Sequence, residues 1–92
     1  MSTDNKSIKL IDGVFNADDA AEILFSVLEA KIRFHNLQMM SVAERFNGST
    51  KDHESRLQVL EDSKKIVAKI ILQAREGNSL LNINSIIEID FQ

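Results

Sequence analysis

The chain has no cysteine, no proline, no tryptophan and no tyrosine, and only three glycines. Without cysteine it forms no disulfide, thiolate metal site or cysteine nucleophile. Without proline, long helices run uninterrupted. Tryptophan and tyrosine are enriched at binding hot spots, so a recognition surface here has to rely on Phe, Met, Leu, Ile and Arg.

Strong charge of one sign and long apolar runs are also missing. The net charge is −3, so the chain carries neither a polybasic nucleic-acid footprint nor a long acidic tail. No apolar run is longer than three residues, and the polar start of the chain lacks the apolar segment of a signal peptide. We therefore expect a cytoplasmic protein with a disordered tail over residues 1–6 and a single domain over residues 7–92.

Motifs that carry chemistry are absent as well. The sequence contains no GxSxG, P-loop or GxGxxG, and its acidic residues concentrate in first turns of helices and in salt-bridge spacings. His35 lies on an apolar stripe, where it is either a partly buried core residue or a switch. A symmetric hairpin would place His53 opposite about residue 44, more than a helical turn from His35. We predict no catalytic, cofactor or metal site, and a protein that is not an enzyme.

A helix over Ala17–Phe46 is the central element of the chain. Asn16 is a good N-cap, Asp18 and Asp19 follow in the first turn, and Asn47-Gly48 is a capping signal at the other end. The helix has two apolar stripes roughly 180° apart. The first stripe is Ala21, Phe25, Leu28, Ile32, His35, Met39, Val42 and Phe46; the second is Ile23, Val27, Ala30, Phe34 and Leu37. Because each stripe needs cover, the helix needs two partners.

The remaining elements are a second helix and two strands. The second helix starts after Ser49 or Thr50 and ends at Gly77-Asn78, and a short linker makes it antiparallel to the first. Alternation predicts a strand over residues 7–11, ended by Asp12-Gly13, and a longer strand over residues 80–91 with a bulge or bend near Ser85-Ile86. The predicted fold class is α+β: a long antiparallel helical hairpin in a β-α-α-β order, with a small antiparallel sheet.

The predicted lengths leave apolar surface without cover. A strand of five residues can pair only with about residues 81–86, so residues 87–91 lack a partner, and the far half of the first helix lacks one too. Leaving these side chains wet would forfeit several kcal/mol of a total of about 5–15. We therefore predict a homodimer, formed through a four-helix core, a four-stranded sheet or both. The alternatives are a monomer in which the longer strand and the second helix supply all the cover, and a complex with a different protein. The predicted interface consists of Phe34, Leu37, Met39, Val42, Phe46, Ile87, Ile89 and Phe91.

Two functions fit this pattern. The first is a non-enzymatic interaction, scaffold or regulatory module that acts as a homodimer, with a further protein partner of unidentified kind. The second rests on the order of elements: a short strand, with Ser7 and Lys9 pointing outward, followed by two helices resembles ribbon-helix-helix repressors, which implies DNA binding through paired strands. The helices here are longer, a C-terminal strand is added, and Lys64, Lys65 and Lys69 form the densest basic cluster beside Glu61 and Asp62.

Overall fold

The structure, a computed structural model, describes residues 6–46 and 50–92, and the side chains of residues 6–41 and 50–92. Four elements follow one another: β1 (Lys6–Phe15), α1 (Ala17–Phe46), α2 (Lys51–Gly77) and β2 (Leu81–Ile89). The two strands form one antiparallel sheet beside the helical hairpin. The predicted α+β class and β-α-α-β order are confirmed.

The start of α1 follows from its sequence. The Asn16 side chain accepts a hydrogen bond of 2.8 Å from the backbone N–H of Asp19, and its backbone oxygen accepts one of 2.9 Å from Ala20. The side-chain bond satisfies the N–H of Asp19, which has no partner within the helix, and the backbone bond is the first i→i−4 bond of the helix. The predicted N-cap and both predicted ends of the helix are confirmed.

The end of α2 is fixed by Asn78, which adopts the left-handed conformation with φ 51° and ψ 43°. Its backbone N–H donates to the oxygen of Arg75, and the N–H of Ser79 donates to the oxygen of Ala74. This pair of bonds is a Schellman motif, in which asparagine replaces the usual glycine. At the other end, Thr50 precedes the helix as predicted, but its side chain forms no capping hydrogen bond.

The first strand is longer than predicted. It continues through Asp12-Gly13 to Phe15, so the turn predicted there is wrong. A Cβ on Gly13 would lie 3.3 Å from the Phe15 ring, which shows that this glycine admits an aromatic ring instead of forming a turn. The longer strand pairs Lys6 with Ile89, so the prediction that residues 87–91 lack a partner within the chain is wrong up to Ile89.

A β-bulge interrupts the sheet opposite the predicted irregularity. Lys9 pairs with Ile86 and Ile11 pairs with Ser85, so Leu10 is the extra residue and the bulge belongs to β1. The extra residue changes which way the strand's side chains point. Ile8 therefore shares a face with Ile11, whereas simple alternation puts them on opposite faces.

The buried core is small and lies where the sheet meets the open end of the hairpin. Among the described side chains it consists of Ala17, Ala20, Ile71 and Ala74, and Phe15, Ala21, Val67, Leu81 and Ile83 pack around it. The molecule measures 50 × 34 × 15 Å, and its radius of gyration is 16.7 Å. A compact chain of this length would have about 12 Å. The protein is therefore flat and elongated, and one end contains the core.

Candidate interaction surface and histidine pair

The two stripes of α1 have different environments. In the first stripe, His35 is buried, and Leu28, Ile32 and Met39 are half-buried. In the second stripe, Ile23 is half-buried, whereas Val27, Ala30, Phe34 and Leu37 are exposed. The first stripe thus faces α2, and most of the second faces solvent.

A similar exposed stripe on α2 is not predicted by the sequence. Val59, Ile66 and Ile70 are exposed beside the line of half-buried and buried residues that contacts α1. Their spacing of seven and four residues is a usable signal, but periodicity alone also fits a wider buried face.

The exposed stripes of the two helices lie on the same side of the hairpin. At about 100° per residue, each stripe is offset by about 100–130° from the side that faces the other helix, and both offsets have the same sense. In a pair of antiparallel helices, two stripes that are offset by similar angles in the same rotational sense lie on the same side of the pair. We call this side the apolar face and define it by Val27, Phe34, Val59, Ile66 and Ile70.

The sheet adds apolar surface beyond the core. Along the side of the sheet that faces the core, Ile11 pairs with Ser85 and is half-buried. Past the bulge, Ile8, Ile87 and Ile89 lie on the same side but are exposed. The core-facing side of the sheet thus extends beyond the helices that cover it.

The predicted interface residues fall into three groups. Phe34, Leu37, Ile87, Ile89 and Phe91 are exposed, with accessible fractions of 52%, 58%, 39%, 51% and 76%. Met39 is half-buried in the stripe that faces α2. The side chains of Val42 and Phe46 lie outside the described residues. The exposed members belong to two regions, the hairpin and the far half of the sheet.

The two histidines are in contact, so the predicted separation of more than a helical turn is wrong. The Nδ1 atoms of His35 and His53 lie 2.9 Å apart, and the ring centroids are 5.1 Å apart. The hairpin is not symmetric about its linker. Beyond this contact α1 runs eleven more residues, whereas α2 starts only two residues before it. A symmetric turn therefore misplaces the helices by about 13 Å along their axes.

The hydrogen bond between the rings requires one Nδ1–H donor and one bare Nδ1 acceptor, so at least one ring is neutral. His35 is only 4% exposed, and its ring also packs edge-on against Phe34 at 5.3 Å. Burial lowers the pKa of His35 below its usual 6.5, and the positive charges of His53, Lys31 and Arg56 lower it further. Burial and these charges therefore favour the neutral form of His35.

The other residues considered for metal or nucleic-acid binding do not form a site among the described residues. Among the described residues no group of three or more His, Asp or Glu side chains could hold a metal ion. In the predicted basic cluster, the Lys64 amine lies 3.6 Å from Glu29, and in β1 the Lys9 amine lies 3.5 Å from Asp12. Neither helix, over its described residues, is long and apolar enough to cross a membrane.

Comparison with protein-family models, with curated proteins and with solved structures finds no match to this chain. Function therefore has to be argued from the surfaces and groups just described.

Proposed function

We propose that the protein is a small, non-enzymatic interaction module that acts as a homodimer, in which a second copy covers the apolar face. The observation that supports this proposal is the imbalance between buried and exposed apolar residues. Among the described side chains, only four apolar residues are buried, and three of them are alanine, while sixteen large apolar side chains are exposed.

The solvent-accessible surface area of the chain measures this imbalance. The chain exposes 7262 Å², whereas a compact monomer of 10.4 kDa would expose about 5,400 Å². The excess is roughly 1,900 Å² per chain, or about 3,800 Å² for two chains. Obligate homodimers bury about 2,000–5,000 Å² in total, so a second copy is a partner of the right size.

The alternative of a ribbon-helix-helix-like DNA-binding regulator receives no specific support. In that family the N-terminal strand pairs with its copy, whereas β1 here pairs with β2 along its length. The amine of Lys9, one of the two residues expected to face DNA, lies beside Asp12.

A cytoplasmic location is part of the homodimer proposal and can be tested by cell fractionation.

The test is light scattering coupled to size exclusion from low to high micromolar concentration. We expect twice the chain mass of 10.4 kDa. Phe34→Asp and Ile66→Asp, each placing a charge in the apolar face, should weaken dimerisation by about tenfold or more. Leu72→Asp is the matched control, because Leu72 is equally exposed but lies on the other side of the hairpin. A monomeric mass at every concentration would contradict the proposal.

A further inference from the structure

A cavity of about 210 Å³ lies between the helices at the histidine pair. Its lining residues are Lys31 and His35 from α1, and Arg56, Val59 and Leu60 from α2. Cationic and titratable side chains therefore meet two aliphatic side chains in a single concave site. A ligand with one charged end and one apolar end matches this division.

Every ionisable group in the cavity lining is basic. Some cations of the helices lie beside acids: Lys64 lies near Glu29, and Arg75 lies 2.8 Å from Asp18. Lys31 and Arg56, like Arg33, Lys65 and Lys69, form no ion pair among the described residues, but these two line one cavity. Two unpaired cations beside two histidines repel one another, even though the chain as a whole has a net charge of −3. An anion in the cavity would relieve that repulsion.

The nearest acid along α2 does not neutralise the cluster. Asp52 lies four residues before Arg56, a spacing at which helical side chains commonly pair. The described residues nevertheless form no ion pair between these two side chains. Along α1, no acid occurs three or four residues from Lys31.

His35 has one ring nitrogen available to the cavity. Its Nδ1 is hydrogen-bonded to His53, and its Nε2 has no hydrogen-bond partner among the described residues. Within that part of the chain, no fully buried side-chain nitrogen or oxygen lacks a partner. Nε2 of this otherwise buried ring therefore reaches the cavity wall, where a proton on Nε2 makes it a donor.

We propose that this cavity binds a small organic carboxylate with a short alkyl chain. The carboxylate lies between Lys31 and Arg56 and accepts a hydrogen bond from Nε2–H of His35. The alkyl chain packs against Val59 and Leu60. No covalent bond of the ligand forms or breaks. The bound anion stabilises the imidazolium form of His35, so binding favours the uptake of a proton from solution by His35.

The test uses butanoate as the probe, with the pKa of His35 followed by NMR at constant ionic strength. Saturating butanoate should raise the pKa of His35, and 1-butanol, which has the same chain without the charge, should leave it unchanged. Equal effects of butanoate and butanol, no effect of butanoate, or inorganic phosphate binding as tightly as butanoate would each overturn the assignment.

Substitutions at exposed positions locate the site without threatening the fold. Lys31→Gln and Arg56→Gln should each weaken butanoate binding by about fivefold or more. Lys65→Gln, which removes an exposed lysine from the other side of α2, is the matched control and should change affinity by less than about twofold. Equal losses in all three variants would indicate general attraction of anions and would overturn the assignment.

All the groups of this site come from one chain, Val59 also belongs to the apolar face, and the two proposals are tested by different measurements. The NMR titration reports ligand binding, and light scattering reports the oligomeric state. If a second copy does cover the apolar face, butanoate should also strengthen dimerisation, because it neutralises cations that would otherwise be buried without partners.

Discussion

The two ends of the hairpin differ in how completely one chain covers them. At the strand end, alanines at positions 17, 20 and 74 bring α1, α2 and the sheet close together, and Ile71 is almost fully buried among them. At the loop end, the buried side chain that the structure describes is His35, while Phe34 and Leu37 nearby are exposed. The small alanine side chains allow close approach of the backbones at the strand end.

The difference separates the parts of the fold that one chain completes from those that it leaves open. The strand end has an N-cap, a Schellman motif and an ion pair between Asp18 and Arg75. Among its described side chains, the loop end has a polar contact between two imidazole rings in place of an apolar core. We infer that the strand end determines the fold and the loop end is suited to binding.

The largest expected effect comes from the single large side chain of the core. Ile71→Ala should lower the free energy of unfolding by about 2–4 kcal/mol, because it removes buried methyl groups and leaves a cavity. Urea denaturation followed by circular dichroism measures it.

The neighbouring residue is the control for that experiment. Leu72→Ala removes a comparable volume at a position that is 56% exposed, and it should cost less than about 1 kcal/mol. If the two variants were equally destabilised, the core would not be concentrated at the strand end.

The sequence correctly predicted those features that depend only on neighbouring residues. Asn16 marked the start of α1, and Asn78 marked the end of α2, because capping depends on a few neighbouring residues. The two apolar stripes of α1 were also found from the sequence, since helix periodicity is a property of one element. Phe34 and Leu37, predicted to lack cover within one chain, are exposed, whereas Met39, predicted with them, is half-buried.

The predictions that were wrong concern how the helices and strands pack against one another. The role of Gly13 depends on where the Phe15 ring lies, and the contact between His35 and His53 depends on how far α1 extends past the start of α2. That offset is set by packing at the strand end, far along the chain from the linker. The cavity lined by Lys31 and Arg56 was missed for the same reason, because these residues lie on different helices and line one cavity only in this register.

A smaller effect is expected at the junction of α2 and β2. Asn78→Ala should destabilise the protein by about 1 kcal/mol, because alanine tolerates a positive φ poorly. Asn78→Gly should be neutral or slightly stabilising, because glycine adopts this conformation without a steric penalty. Thermal unfolding of both variants is the measurement. A glycine variant as unstable as the alanine variant would show that the Asn78 side chain, and not its backbone conformation, stabilises this junction.

The smallest effect on global unfolding is expected from pH, because it acts at the loop end. The pKa of His35 is below 6.5 in the folded protein, so the unfolded chain binds more protons as the pH falls through 6.5. Stability should be constant above that pH and should decrease below it, until the folded-state pKa is reached. Hydrogen exchange should locate the loss, with amides near His35 opening more readily at pH 5.5 than at pH 7.5 and amides near Ala20 unchanged. His35→Gln should remove this pH dependence. If protection decreased equally at both ends, the hairpin would unfold as one cooperative unit, and the separation into a structural end and a binding end would be wrong.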